Sequence, residues 1–294
     1  MQIEFEIIKW FQDIGNTFCD ILAEGFTFFG EQYMMIVILA FIYFVYNKKM
    51  GEAIAYSVFL SLNLNNALKG LVKAKRPFQL EKTIIPKRAH TATGYSFPSG
   101  HTQGATALYG SIGIRFKNKK LWTAIIVLIS LVAISRVYLG VHFPHDVVAG
   151  LLVGIACSIL GAYLYDKFAT NLKKKMILML STAILFVPFT FVFYQPKFSD
   201  IEVYRDFYTG LALFLGFIVA LYIENKYVNF DCKSPMKVKL IRYFLGLLIF
   251  VVVQMGLKIV FPEDNIFFDM LRYFFVTFVP MGLYPLTFKK LNLM

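Results

Sequence analysis

Nine helix-length apolar stretches decide what this chain can fold into. Their approximate limits are 32–46, 51–71, 99–116, 121–140, 146–166, 175–194, 206–224, 240–260 and 265–287. A bilayer-spanning helix needs about 20 mostly apolar residues. Stretches of that length, joined by short connections in 294 residues, leave no room for a large soluble domain. Hydrophobic residues make up 58% of the chain and charged residues 16%, against roughly 45–50% and about 25% in soluble chains. That balance excludes a disordered chain, a coiled coil and a disulfide scaffold. The expected fold class is all-α: a polytopic transmembrane helical bundle of eight or nine membrane helices, with an amphipathic N-terminal segment. The stretches at 51–71 and 99–116 carry polar residues and are the weakest spans by hydropathy alone.

Residues 1–31 form that N-terminal segment. Glu4, Glu6, Lys9, Asp13, Asp20 and Glu24 interrupt it, while Ile3, Phe5, Ile7, Ile8, Phe11 and Ile14 fit a helical stripe. Gly15 and Asn16 predict a break. One or two helices lying at the membrane surface fit this pattern, and so does a weakly apolar first span. Glu4 and Glu6 stand where a cleavable signal peptide would be basic. Cys19, Cys157 and Cys232 are far apart and read as small hydrophobes.

The connections alternate in charge. Lys48, Lys49, Arg115, Lys117, Lys119, Lys120, Lys167, Lys173 to Lys175, Lys226, Lys233, Lys237, Lys239, Arg242, Lys289 and Lys290 fall on one side if the nine stretches alternate. These seventeen of thirty basic residues mark that side as cytoplasmic. The net charge of +12 therefore concerns orientation first, and nucleic acid is not an expected partner. The 72–98 loop falls on the other side, yet it carries Lys73, Lys75, Arg76, Lys82, Lys87 and Arg88. A bound anion is the natural reason for a basic loop on that face.

Three clusters lie at helix ends on that same face: Lys69-x6-Arg76-Pro77, Pro98-Ser99-Gly100-His101, and Ser135-Arg136-x5-His142-x3-Asp146. Hydrolysis of a phosphate ester needs charge neutralisation, a nucleophile and a proton for the leaving oxygen. Lys69, Arg76 and Arg136 supply converging cations, Arg with fork-shaped donors and Lys with a point charge. Ser99 and Gly100 precede a helix whose first N–H groups make an anion site, with Ser99 expected to cap it. Gly100 lets backbone approach a phosphate closely. His142 and Asp146 are four apart, so a helical turn puts them on one face. Asp146 can then accept the proton of one ring nitrogen and leave the other free to attack. His90 and His145 match no motif, and His145 reads as a loop residue or a supporting donor. The basic surroundings of His142, His145 and Asp146 argue against a metal.

In these eleven positions and their spacings the chain resembles the type-2 phosphatidic acid phosphatase superfamily, over roughly residues 33–166. The wording around the motifs (Asn65-Asn66-Ala67-Leu68, Gly94-Tyr95-Ser96-Phe97, Tyr138-Leu139-Gly140-Val141) is similar to bacterial members. The resemblance implies a metal-independent, cofactor-free membrane phosphatase. It implies that His142 attacks phosphorus to form a phosphohistidine. His101 would protonate the leaving oxygen and then activate water. Lys69, Arg76, Ser99, Gly100 and Arg136 would bind the phosphate.

The expected substrate is a lipid phosphate such as undecaprenyl diphosphate, phosphatidylglycerophosphate or phosphatidate, because the site lies at the bilayer interface. The alternatives are a lipid phosphotransferase with the same intermediate and a non-catalytic lipid transporter. The expected location is a bacterial plasma membrane, with the site on the extracytoplasmic face. Residues 32–171 are expected to form the catalytic core and 172–294 additional membrane helices with no assigned role. Asn63, Asn65 and Asn66 are expected to hold helices together, and Asp269 and Arg272 to pair or to line a polar headgroup groove. Nothing in the sequence specifies an oligomeric state.

Overall fold

The computed structural model describes residues 1–89, 92–195, 201–262 and 265–294. His90 and parts of the 195–205 and 261–264 connections lie outside the described residues. Among the described residues every regular element is helical. In chain order these are α1 (Gln2–Asp13), α2 (Thr17–Phe28), α3 (Gln32–Phe41, then a π turn Ile42–Tyr46), α4 (Lys48–Val72), α5 (Pro77–Leu80), α6 (Gly100–Phe116) and α7 (Lys119–Tyr138). They continue with α8 (Pro144–Phe168), α9 (Leu172–Val192), α10 (Arg205–Ile223, then a π turn Glu224–Val228), α11 (Met236–Val260) and α12 (Ile266–Phe278, then a π turn Val279–Leu283). A last turn, α13, is Tyr284–Leu286.

Asparagine starts several of these helices. The side chains of Asn16, Asn118 and Asn171 accept the N–H groups of Cys19, Leu121 and Lys174 at 3.0, 3.1 and 2.9 Å. Each such cap satisfies a donor the helix cannot satisfy itself, worth about 1 kcal/mol. The expected break at Gly15–Asn16 is therefore a capped helix start.

Among the described residues six helices, α7 to α12, are long and apolar enough to cross a membrane, or seven if α2 and α3 count as one bent span. The expected eight or nine is not reached by length and composition. The shortfall is physical: α4 carries Asn63, Asn65, Asn66 and Lys69, and α6 carries His101, Thr102, Gln103 and Thr106.

The chain forms two compact units. The first comprises Met1–Met35 and Leu60–Ala162. In it α1 buries Ile8 against Ile84, Ala133, Val137, Phe143 and Val147. α2 buries Ala23 against Tyr138, Leu139 and Val141. The apolar stripes of the N-terminal helices thus cover the end of α7 and the turn that follows it. α6 and α8 touch through backbone: a Cβ at Gly150 would lie 2.8 Å from the Ser99 carbonyl oxygen, and one at Gly154 2.7 Å from that of Gln103. α4 joins α6 through Asn65, whose Nδ2 donates to Gln103 Oε1 at 2.8 Å. Gln103 Nε2 in turn donates to the Ser61 carbonyl at 2.8 Å. Asn65 thus holds helices together as expected.

The second unit comprises Ile36–Phe59 and Tyr163–Met294. Its core joins Tyr56, Tyr165, Met179, Phe214, Phe217 and Leu221. Within it lies a buried charged network. Glu52 receives Lys175, the Tyr165 hydroxyl at 2.6 Å and Asn225 Nδ2 at 3.0 Å. Glu224 receives Lys48 at 3.0 Å and the Phe230 N–H at 3.0 Å. Lys48, Lys175 and Arg242 are all buried, so these three of the seventeen anchoring cations are internal partners and not solvated charges. Asp269 and Arg272 do pair, at 2.8 Å, and Arg205 joins the same carboxylate at 2.7 Å.

Candidate active site

All the motif residues lie in the first unit. Lys69 is in the last turn of α4, Arg76 precedes α5, Ser99 and Gly100 open α6, Arg136 ends α7, and Asp146 opens α8. His142 sits in the turn between α7 and α8. That turn needs glycine: Gly140 has φ +70°, and a Cβ there would meet Gln12 Nε2 at 2.8 Å and the Ile85 carbonyl at 3.0 Å.

His142 is almost fully buried. Its Nδ1 lies 3.4 Å from Asp146 Oδ2, and its Nε2 lies 3.3 Å from Arg76 Nη1. Arg76 can only donate, so it meets the lone pair of Nε2; the proton then belongs on Nδ1, facing the carboxylate. Burial first, then the positive charges of Arg76, Arg136 and Lys69, holds the His142 ring well below the usual imidazole range. The ring is neutral at neutral pH, which is the state a nucleophile needs.

Asp146 is held from several sides. Its Oδ2 accepts the Ser96 hydroxyl at 2.6 Å and the Phe143 N–H at 2.9 Å. Its Oδ1 lies 3.3 Å from His145 Nε2, and His145 Nδ1 lies 2.6 Å from Glu4 Oε1. Burial raises the Glu4 pKa, but the hydrogen bonds from His145 outweigh it and leave Glu4 below the usual carboxylate range. His145 is therefore a supporting residue beside Asp146.

Arg76 does more than face an anion. Nε donates to Gly94 O at 3.1 Å, Nη1 to Val141 O at 2.9 Å and Nη2 to Thr93 O at 2.6 Å. It thereby pins the 93–95 segment and the His142 turn together. Arg136 is completely buried. Its Nη1 donates to Thr27 Oγ1 at 2.6 Å, while Nε and Nη2 have no hydrogen-bond partner among the described residues. A buried guanidinium with idle donors is poised for an anion, since unpaired buried donors are costly. His101 Nε2 is likewise buried without a partner among the described residues. Lys69 reaches Gly100: a Cβ on that glycine would lie 3.8 Å from Nζ and 3.2 Å from Asn65 Oδ1.

Ser99 departs from expectation. It stands at the helix start, but its side chain makes no capping bond. Its hydroxyl meets Thr102 Oγ1 at 3.1 Å, and its N–H donates to the Asp146 carbonyl at 3.0 Å. Being buried, it spends its backbone tying α6 to α8.

Three residues escaped sequence reasoning. Ser96 lies in the Gly94–Phe97 wording but had no role. Thr27 and Glu31 carried no motif at all, because their partners Arg136 and Arg88 are 109 and 57 positions distant, and Arg88 was noted only as one charge of the basic 72–98 loop.

The fold and the site define a helical membrane protein in which buried cations and histidines gather at the helix ends around His142. Residues 51–169 match the sequence model of the PAP2 superfamily, and residues 208–294 match that of the PAP2 superfamily phosphatase transmembrane extension. It is similar to an undecaprenyl-diphosphatase of Sulfolobus acidocaldarius, 32% identical over 43% of this chain and 61% of the relative. It is similar to undecaprenyl-diphosphatase BcrC of Bacillus subtilis, 37% identical over 33% of this chain and 47% of the relative. Phosphatidylglycerophosphatase B of Bacillus subtilis is 34% identical over 41% of this chain and 61% of the relative. The chain thus spans less than two thirds of the length of each of these relatives.

Proposed function

We propose that this protein is a lipid phosphate phosphatase working through a phosphohistidine. The observation that carries the reading is the setting of His142: Nδ1 toward Asp146, Nε2 toward the cations. His142 Nε2 attacks the terminal phosphorus, and the bond from phosphorus to the leaving oxygen breaks. Asp146 stabilises the imidazolium as it forms. His101 gives its proton to the leaving oxygen. It then takes a proton from water as that water attacks the phosphohistidine, releasing inorganic phosphate and free His142. Lys69, Arg76, Arg136 and the Ser99–Gly100 helix start hold the phosphoryl oxygens.

The names of the relatives and the apolar helices support a lipid as the carrier of the phosphate. We place the site on the extracytoplasmic face of a plasma membrane, with α4 and α6 crossing beside the six apolar spans to give eight or nine in all. Residues 32–171 then form the catalytic core behind the N-terminal segment 1–31, with 172–294 as accessory membrane helices. The test is phosphate release by purified protein from polyprenyl diphosphate, phosphatidylglycerophosphate, phosphatidate and a soluble sugar phosphate. His142→Ala is the control, expected to lose about 10³-fold or more. Equal release by wild type and variant would sink the mechanism. Label appearing on an added acceptor lipid, without free phosphate, would replace hydrolysis by transfer.

A further inference from the structure

Glu31 and Arg88 belong to no motif, yet Glu31 follows directly on a glycine that packs against His101. Gly30 follows α2 and rests on His101: a Cβ there would lie 3.0 Å from the His101 carbonyl oxygen and 3.1 Å from its Cβ. The next residue, Glu31, pairs with Arg88, and both are largely buried, at 15% and 16% exposure. The stretch before Arg88 is fixed, because the Lys87 N–H donates to Leu139 O at 3.1 Å and its ammonium meets Asp20. The Arg88 charge acts on both His101 and Arg136. A further guanidinium is thus held, through its paired carboxylate, next to the Gly30 turn that packs on His101.

The chemistry of the leaving group says what such a cation is for. When His142 attacks a terminal phosphorus, the departing oxygen faces His101. From a lipid monophosphate that oxygen belongs to an alkoxide with no further charge. From a lipid diphosphate it belongs to a lipid monophosphate, whose own anionic oxygens lie beyond the terminal phosphate on the His101 side. We propose that Arg88, held in place by Glu31, is the subsite for the inner phosphate of a lipid diphosphate. On binding, Arg88 exchanges part of its pairing with Glu31 for phosphate oxygens, which its planar fork fits. The bond to the terminal phosphorus breaks as the phosphohistidine forms. Lipid monophosphate leaves with Arg88 compensating its charge, and water then frees inorganic phosphate. This rests on the phosphatase reading given above.

The experiment compares polyprenyl diphosphate with the monophosphate of the same tail, using the full chain in detergent. Arg88→Gln is expected to lower the ratio of kcat/KM, diphosphate over monophosphate, by about tenfold or more. An unchanged ratio overturns the proposal, whether or not both rates fall. If Arg88→Gln does not fold, Glu31→Gln decides. Removing the carboxylate that both holds Arg88 and competes for it should shift the ratio, and an unchanged ratio overturns the subsite. Release from neither substrate by wild type, or equal release by His142→Ala, removes the phosphatase reading and the subsite with it.

Discussion

In the proposed mechanism His142 can act because Asp146 and Arg76 divide its two nitrogens between them. Ser96 and the Phe143 N–H fix the Asp146 carboxylate that faces Nδ1, and Arg76 faces Nε2. Ser96→Ala removes one of the bonds aiming the carboxylate. It is expected to lower kcat about tenfold with little change in KM, read from steady-state kinetics. The pH profile tests the electrostatics. Protonated His142 cannot attack, so the acid limb of kcat/KM reports its pKa in the free protein. Burial and three cations depress that pKa, so the limb should lie below the usual imidazole value. Lys69→Met removes one positive neighbour, the pKa rises, and the limb should move to higher pH. A limb that stays put or moves down would contradict the electrostatic account. His101, His142, Asp146 and the three cations could be named from the sequence because the motifs fix residue types and order; the helical turn expected from His142 to Asp146 is absent, since α8 starts at Pro144 and His142 lies in the turn before it. Ser96 could not be named, since a serine before Phe97-Pro98 is an ordinary loop residue until Asp146 is seen beside it.

At the scale of elements, the N-terminal helices became part of the site. Their amphipathic stripes and the break at Gly15–Asn16 were readable, but the surface they cover was not. An apolar stripe satisfies lipid and protein equally well. α1 and α2 lie on the end of α7 and the His142 turn, and α2 lends Thr27 to Arg136. Thr27→Val keeps the shape and removes the acceptor. It is expected to cut kcat/KM about tenfold, as loss of a hydrogen bond to a charged group would. Thr27→Ser should restore most of it. Failure of serine to rescue would mean that Thr27 acts through shape and not through its hydroxyl. The polar faces of α4 and α6, which weaken them as spans, hold Lys69, Asn65, His101 and Gln103. Low hydropathy there reflects the chemistry they carry.

At the scale of the whole molecule, charge separates into anchoring and internal populations. Counting Lys and Arg in connections could not show that Lys48, Lys175 and Arg242 are buried, because a tally treats every cation as solvated. Lys175→Met leaves the buried Glu52 carboxylate with the Tyr165 hydroxyl and Asn225 but without its paired cation. It should destabilise the protein by about 3–5 kcal/mol, read as a fall in Tm in detergent. Adding Glu52→Gln should recover part of that loss, and a double variant as unstable as the single would contradict the pairing. Orientation has its own check. Thr83→Cys, in the basic loop, should react with an impermeant thiol reagent added to whole cells, and labelling only after lysis would reverse the topology.

The glycine contacts between α6 and α8 bear on how the protein responds to its bilayer. Gly150 and Gly154 bring the helix carrying Asp146 directly onto the backbone and the Thr102 and Thr106 side chains at the start of the helix carrying His101. The joint has no compressible layer, so membrane tension or a change in thickness moves both helices as one stiff body. In the proposed mechanism the spacing of the reacting groups would then change little with the bilayer. Turnover in nanodiscs of short-chain and long-chain lipids should accordingly differ in substrate capture but not in the chemical step.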